Sequence, residues 1–530
     1  MGPSVFAFRQ LTAQRPAQQK VGSGRLIIAA AIVVLAIAVL LSQPRAAVIS
    51  AAQPWPSDGI VGLAQRSRPV LLRGDTLPSY AWAAHRLWQD LNYLESLLAR
   101  SPLHGVWQRP LAAAAADRQA SERSFVYFSH RGGSFGMRAP LDASRATAAV
   151  AEHELLSFSD FRRHAATGAL LYCSHELDAL GAMVLADAQP LELFNLARAN
   201  ASLVDESSGY ATRSAVKRTD ALLWIGAGRP VTHAHYDTSH NVFVQVVGRK
   251  HFVLWPPSSL TSTLTLYPSR HSLHRQSSLR APAEEAAAEV ALRVTLGPGD
   301  ALYVPPYWAH HVSALDNLSL SIAVWSDSEA MRRKDSLETL PLPWEPEWSS
   351  SEVAVAASCY VRQVLVGVHG GDVAAGRHAL RRLLLNRYEA LRRPPESAAH
   401  DGLLLAPMSE VIDEATGAAL DGASTSGGAS PTREAGAAPA SLLAPLRASC
   451  AARTATSPKR RAELEEHVAA HAIRTAQAVR AVSADAAICE VAMADYFEAL
   501  AAFVTQNRGL IHGFLSICVL GAWDATPDPA

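Results

Sequence analysis

ALLWIGAGRPVTHAHYDTSHNVFVQVVGRKHFVLWPP, residues 221–257, carries the reading of the fold. Three short runs inside it, ALLWIG, NVFVQVV and KHFVLW, are rich in β-branched and aromatic residues, and Gly, Pro and Ser separate them. The pattern repeats downstream in ALRVTL (291–296), DALYV (300–304) and LSLSIAVW (318–325). Short strands at this spacing predict an antiparallel sandwich or barrel and not a parallel α/β sheet. Helical periodicity flanks the block. Trp82, Leu87, Trp88, Leu91, Leu94 and Leu98 predict a helix within 79–100, after a short strand in RPVLLRG (68–74). In LLSFSDFRRHAATGALLY (155–172), Ser159 is the candidate cap of a short helix that leads into a strand. Beyond Trp325, residues 352–368 and 374–393 predict two amphipathic helices. Ala418–Ala444 reads as a flexible linker. Ser457-Pro458 is a cap and first helical position that opens a helical region reaching about Gln506.

The chemistry concentrates in Thr232-His-Ala-His-Tyr-Asp-Thr-Ser-His240. His235 and Asp237 are two apart, so on a strand an imidazole and a carboxylate share one face. That alone is a weak signal, because twenty histidines in 530 residues give about one His-x-Asp by chance. The second half is Gly299-Asp-Ala-Leu-Tyr-Val-Pro-Pro-Tyr-Trp-Ala-His-His-Val312, a turn feeding a strand that ends just before His310. In an antiparallel barrel this strand can bring His310 beside the pair. Two histidines and one carboxylate make the facial triad of non-haem iron(II), with positions left open and one of the two metal charges unbalanced. Such a site attracts an anionic chelating cosubstrate.

These stretches resemble the JmjC, or cupin-like (cupin_8), family of iron(II)- and 2-oxoglutarate-dependent oxygenases. Within it they are most similar to the asparaginyl-hydroxylase branch that inhibits the hypoxia-inducible factor. The matching runs are ALLWIGAGRPVTHAHYD, NVFVQVVGRKHFVLWPP, LYPSRHSLHRQS and LGPGDALYVPPYWAHHV, in family order, with RPVLLRG and LSFSDF upstream. The resemblance covers roughly residues 68–328. It implies a mainly β core, the double-stranded β-helix of cupins, with flanking α-helices. It also implies iron(II), 2-oxoglutarate and dioxygen as cofactors. His235, Asp237 and His310 would be the metal ligands and catalytic centre. Lys250 and Thr232, together with Tyr172 across a variable loop, would hold the distal carboxylate of 2-oxoglutarate. Asn241 and Gln245 would have at best a supporting role. His311 is the alternative ligand to His310, and His233 and His240 are strand and loop residues near the site. His467 and His471, one turn apart on a predicted helix, read as a surface pair. Ser239 and Ala323 stand where the branch carries a substrate-contacting glutamine and an asparagine, so asparagine specificity does not follow.

The expected activity is hydroxylation of a protein or peptide side chain. The alternatives are a JmjC-type N-demethylase, a small-molecule or glycan hydroxylase, and a cupin binding protein without turnover. Lys+Arg and Asp+Glu are both 48, which argues against a nucleic-acid partner. The zero net charge hides a gradient: residues 1–57 carry five basic and no acidic residues, and the rest carries −5. LIIAAAIVVLAIAVLLSQP, residues 26–44, is uncharged and as a helix spans about 28 Å, near the thickness of a bilayer core. Four basic residues precede it. The expectation is a single-pass transmembrane helix with a cytosolic N-terminus and a lumenal (ER or Golgi) or extracellular body. A secreted or organelle-imported protein with a cleaved leader is the alternative. Sequons at Asn200 and Asn317 are compatible with a lumenal body. The five cysteines lack a CxxC and exclude a zinc ribbon; in a lumenal body some can pair.

The expected organisation is a basic head (1–25), signal-anchor (26–44), stem (45–67), JmjC/cupin-like domain (68–330), helical extension (331–400), low-complexity linker (401–456) and C-terminal helical region (457–530). The last would pack on the barrel or form a homodimer contact.

Overall fold

A computed structural model of the chain describes residues 47–48, 53–54, 62–63, 65–72, 74, 82–98, 103–108, 126–129, 135–138, 152–177, 182–188, 220–269, 274–277, 292–389, 456–506 and 510–524. All of these lie in the unit that runs from Ala46 to Ala530. The apolar run 26–44, the linker 418–444 and Asn200 are outside the described residues.

The β-prone runs form strands as their composition dictates. In chain order these are β1 (Ala47–Val48), β2 (Val70–Leu72), β3 (Leu103–Gln108), β4 (Val126–Ser129), β5 (Phe135–Arg138), β6 (Glu152–Leu156), β7 (Leu170–Glu176) and β8 (Asp220–Ala227). They continue as β9 (Val231–Tyr236), β10 (His240–Val247), β11 (Lys250–Trp255), β12 (Leu292–Leu296), β13 (Ala301–Val304), β14 (Ala309–Ala314) and β15 (Leu318–Ser326). One sheet has the order β1-β12-β11-β14-β9 and a larger one β2-β13-β10-β15-β8-β7-β3-β6, while β4 and β5 pair with each other. Every pairing is antiparallel except β1 with β12. From β8 to β11 each strand crosses to the other sheet, and β13, β14 and β15 do so again. This is the winding expected of a cupin or JmjC barrel. The crossings are sharp. Gly228 (φ 77°) and Arg229 (φ 63°) carry the chain from β8 to β9, and Gly248 (φ 70°) carries it from β10 to β11.

Strand alternation sorts side chains into layers. On β10, Phe243 faces the space between the sheets with Phe252, Leu254, Leu302 and Val312. Its neighbours Val242, Val244 and Val246 face the other way. There they meet the helices α1 (Ala84–Leu87), α2 (Leu91–Leu98), α3 (Phe158–Ala166) and α4 (Ala182–Ala188). The smaller sheet turns Tyr236, Val253, Trp255 and Ala309 outward. These pack against α5 (Glu329–Glu338), α6 (Ser350–Val368), α7 (Val373–Leu384), α8 (Pro458–Ala481), α9 (Ala486–Thr505) and the helical run 511–524. Both faces of each sheet are therefore buried, which is why the strands read as continuous apolar runs.

Several boundaries differ from the sequence reading, for local reasons. Ser157, not Ser159, caps α3: its Oγ accepts from the Asp160 N–H at 3.0 Å, while Ser159 donates to Glu95 on α2. The helix expected within 79–100 is broken at Trp88-Gln89-Asp90, where the Trp88 indole turns in to donate to Asp187 of α4 at 2.9 Å. The helix expected at 374–393 runs as α7 to Leu384 and as a π-helix over Leu385–Glu389. The C-terminal helical region breaks between α8 and α9 and continues past Gln506 to Asp524. Ser457 caps α8 with Pro458 in its first turn, as expected.

The C-terminal helices pack on the barrel. The Tyr360 hydroxyl of α6 shares hydrogen bonds with Thr475 of α8 (2.6 Å) and Tyr496 of α9 (2.8 Å). Among the described residues α6 alone is long and apolar enough to cross a membrane, and it lies in this core with Val361, Val364 and Leu365 fully buried.

Because one core joins the small sheet to these helices, barrel and helices are expected to unfold together. Trp255→Ala at the seam should cost about 3–5 kcal/mol. Scanning calorimetry should show one transition, shifted down in the variant. Two separated transitions, with only one moved, would contradict the shared core.

Candidate metal centre

β9 and β14 build the site. His310 pairs with His235, and Val312 pairs with Thr232, so two β9 residues (233 and 234) stand opposite the single residue His311. This bulge matters for parity. In a regular strand Thr232 and His235 would face opposite ways; the extra residue turns both into the space between the sheets. Asp237 follows on the His235 face. His235, Asp237 and His310 each bring one ligand atom to within 4.8 Å of the others. The two imidazole rings are 4.2 Å apart, and His310 Nε2 is 3.9 Å from Asp237 Oδ2.

The surroundings fix how these groups present themselves. His310 Nδ1 lies 3.1 Å from the Trp308 carbonyl oxygen. A carbonyl can only accept, so Nδ1 carries the proton and Nε2 keeps its lone pair for a metal. The Trp325 indole N–H donates to Asp237 Oδ2 at 3.2 Å. Burial works against the charge of Asp237, but His235, His310, Arg275 and the Trp325 N–H outweigh it and hold the carboxyl below its usual range. The turn Pro305–Trp308 that presents His310 is strained. Tyr307 has φ 62°, a left-handed conformation rare for an aromatic residue. Its N–H donates to the Asp237 carbonyl at 2.7 Å and its ring stacks on Tyr236 at 5.5 Å, which hold it there.

The triad opens into a pocket of about 430 Å³, its mouth included, walled by Trp224, Phe243, Phe252, Val312 and Trp325, with Tyr172, Thr232 and Asn241 among them. Tyr172 stacks on Trp224 at 5.0 Å and is hydrogen-bonded to Thr232, and burial pushes its phenol well up. Gly226 makes room for it, since a Cβ there would lie 2.7 Å from Pro230 and 3.3 Å from the Tyr172 ring. Lys250 sits against this pocket with its Nζ 5.2 Å from the Tyr172 ring and 4.9 Å from the Phe243 ring. It is 1% exposed, and its amine donates to Ser321 Oγ at 2.8 Å. Burial pushes its pKa down to about 7. Among the described residues no carboxylate pairs with this buried amine, and a bound anion would supply one. The donor set, two imidazoles and a carboxylate, suits iron(II), and the amine beside the aromatic wall suits a dicarboxylate.

The other candidates divide clearly. His311 points to the opposite face of β14, where it meets His251 and burial lowers its pKa to about 4. It does not join the triad. His240 is tied to the Tyr303 hydroxyl at 2.8 Å. The side chain of His233 is outside the described residues. Asn241 lines the pocket with its Oδ1 buried and unbonded, whereas Gln245 lies outside the pocket lining and its amide nitrogen donates to the Val247 carbonyl, the Gly248 carbonyl and Ser319. Ser239 contacts Met331 at 3.5 Å and Ala323 is fully buried in the inter-sheet core. His467 and His471 stack on the surface of α8 at 6.4 Å, with Glu345 3.4 Å from His467. Sequence reasoning missed Trp325, Trp224 and Ser321, whose alternation on β15 and β8 was available as a signal. It also missed Arg275 and Gln276 in HRQS, which pair alongside β9 through a bridge between His235 and Gln276.

A family model described as a cupin-like domain matches residues 62–331, a little over half of the chain. The chain is 34% identical over 118 residues to the lysine-specific demethylase JMJ31 of Arabidopsis thaliana, covering 20% of this chain and 21% of that protein. It is 34% identical over 122 residues to the HSPB1-associated protein 1 of Homo sapiens (21% and 24%). It is 30% identical over 171 residues to the tRNA wybutosine-synthesizing protein 4 of Gibberella zeae (32% and 16%). The matches thus span about a quarter or less of each of these relatives' length. Antiparallel sheets that wind between two layers, with a His-Asp-His cluster facing the space they enclose, are what the family model meets here, and the chain belongs to the cupin-like, JmjC-type family.

Proposed function

We propose that the chain is an iron(II)- and 2-oxoglutarate-dependent oxygenase that hydroxylates a carbon of a protein side chain. The observation that carries this is one pocket with His235, Asp237 and His310 converging at one place and the buried amine of Lys250 set against the same aromatic wall. Iron(II) with 2-oxoglutarate and dioxygen supplies an oxidant able to break a substrate C–H bond. The chain's own residues do the rest. His235, Asp237 and His310 would hold the iron(II), and their single carboxylate would leave it able to take up a chelating anion. Lys250 balances the far carboxylate of that anion, with Tyr172 and Thr232 offering hydroxyls. Trp224, Phe243 and Phe252 keep water from the reacting centre. Trp325 holds one Asp237 oxygen, so that the carboxylate keeps a fixed orientation.

A carbon attached to nitrogen would make the same step a demethylation, and the demethylase name of one relative keeps that as the second reading. The excess of acidic over basic residues after Asp58 favours a protein over a nucleic-acid substrate. For placement we propose a membrane anchor at 26–44 with the body in an oxidising lumen. Supporting this, Cys518 is disulfide-bonded and Asn317 of the sequon lies exposed in the turn before β15.

His235→Ala and Asp237→Ala should each abolish iron-dependent succinate formation and weaken metal binding by at least tenfold in a titration followed by fluorescence. Full turnover in either variant would refute the triad. Lys250 gives a pH signature. Its folded pKa lies below its unfolded one, so the unfolded chain binds more protons between about 7 and the ordinary lysine value, and apo stability should rise with pH across that window. Denaturant unfolding should show the rise in the wild type and lose it in Lys250→Met. That variant should be at least as stable as the wild type and lose 2-oxoglutarate turnover. Asn317→Gln should remove an endoglycosidase-sensitive mass shift from the protein expressed in eukaryotic cells; no shift in the wild type would count against the lumenal placement.

A further inference from the structure

The edge of the small sheet at β9 is covered by two pieces of chain, 264–269 and 274–277. Ser277 N–H donates to the Ala234 carbonyl (2.8 Å), Tyr236 N–H to the Arg275 carbonyl (3.2 Å) and Tyr267 N–H to the Gln276 carbonyl (3.0 Å). Bridges join His235 to Gln276 and Leu266 to Ser277. This strap therefore runs beside the strand that carries His235. It is strained: Arg275 has φ 71°, sparsely populated for any residue but glycine, asparagine or aspartate. A conformation of that kind persists only where its surroundings over-determine it.

The far side of the strap is held by a buried ionic cluster. Glu498 of α9 accepts from the Ser269 N–H at 2.6 Å, and Asp495, one turn earlier, stands 3.5 Å from His274 Nε2. Arg387, in the π-helical turn after α7, bonds Asp495 at 2.8 Å and Glu498 at 2.9 Å, and the Tyr388 hydroxyl donates to Glu498 at 2.9 Å. Lys334 of α5 adds a contact to Asp495 at 3.7 Å. Asp495 is 2% exposed and Glu498 is fully buried. Charges taken this far from water are costly, and a hydrophobic cluster of the same volume would stabilise the helices as well or better. The cluster's geometry suits a different task, because both of its carboxylates reach the strap. The residues between the two anchors' contacts and β9 include Arg275, whose charge acts on Asp237.

We propose that Asp495 and Glu498 are positioning residues for the metal centre: from α9, outside the family-matched stretch, they clamp the 264–269 and 274–277 strap against β9 and so fix His235 and its neighbours for metal binding. The proposal rests on the oxygenase reading for its purpose, but the clamp itself does not.

The test is Glu498→Gln, which keeps the side-chain volume and leaves Asp495 to balance Arg387. A second variant, Arg387→Met with Glu498→Gln, removes one cation and one anion together. Two readouts are taken on the full chain: hydrogen exchange at the amides of 266–269 and 274–277, and Mn(II) affinity by titration. The expected result is exchange at least tenfold faster in the strap, unchanged exchange in the middle of α6, and Mn(II) affinity about tenfold weaker. Restoring the charge with Glu498→Asp should recover part of both. A lower melting temperature with strap exchange and Mn(II) affinity at wild-type values would mean a purely structural role and overturn the proposal. If the wild type itself binds no Mn(II), the oxygenase reading fails, and strap exchange still decides the clamp.

Discussion

In β9 two residues stand where a regular ladder would have one, and the orientation of the whole site depends on that extra residue. His310 and Val312, two apart on β14, face Thr232 and His235, three apart on β9. Without the bulge, either Thr232 or the His235/Asp237 pair would point at the C-terminal helices. With it, a hydroxyl, an imidazole and a carboxylate look into the same pocket. On β14, which pairs regularly with β11, His311 follows His310 directly and so faces the other way.

Polarity inside the pocket is arranged around this. Two places carry charge, the triad and Lys250, and both lie against aromatic and aliphatic side chains. Low polarity strengthens any attraction between Lys250 and an incoming carboxylate, and burying the amine is costly, since among the described residues its hydrogen bond is to Ser321. Stability is given up for binding at this point, a trade common at functional sites. The layers outside the sheets supply the compensation. The large sheet is backed by α1–α4 and the small sheet by the helices from α5 onward, so the strained turn at Tyr307 and the strained strap at Arg275 are both pressed from behind by well-packed helices.

Much of this was legible in the sequence. The strands from 221 to 326 and their antiparallel nature follow from short β-branched runs, and the shared face of His235 and Asp237 from period-two alternation, whereas the place of His310 beside them was carried by the family resemblance. Lys250 was reachable only through its motif, because composition alone assigns a lysine to the surface. The parity of Thr232 was not legible, since no residue type marks a bulge of this kind. The cap at Ser157 was missed because LSFSDF offers two serines three or fewer residues before Asp160 and Phe161, and only the partner on α2 claims Ser159. The break at Trp88 goes with a contact to Asp187, 99 residues away, and periodicity carries no information about such contacts. The buried pairing of Arg387 with Asp495 and Glu498 was hidden for the same reason.

The proposed oxygenase requires one pocket that binds a metal at His235, Asp237 and His310 and a dicarboxylate that reaches Lys250. The most direct measurement is a crystal structure of the chain with Mn(II) and 2-oxoglutarate, with the metal located by anomalous scattering. The expected result is a single strong anomalous peak bonded to His235 Nε2 or Nδ1, an Asp237 oxygen and His310 Nε2, with the far carboxylate within hydrogen-bond distance of Lys250 Nζ. A metal bound elsewhere, or a dicarboxylate that leaves Lys250 without a contact, would contradict it.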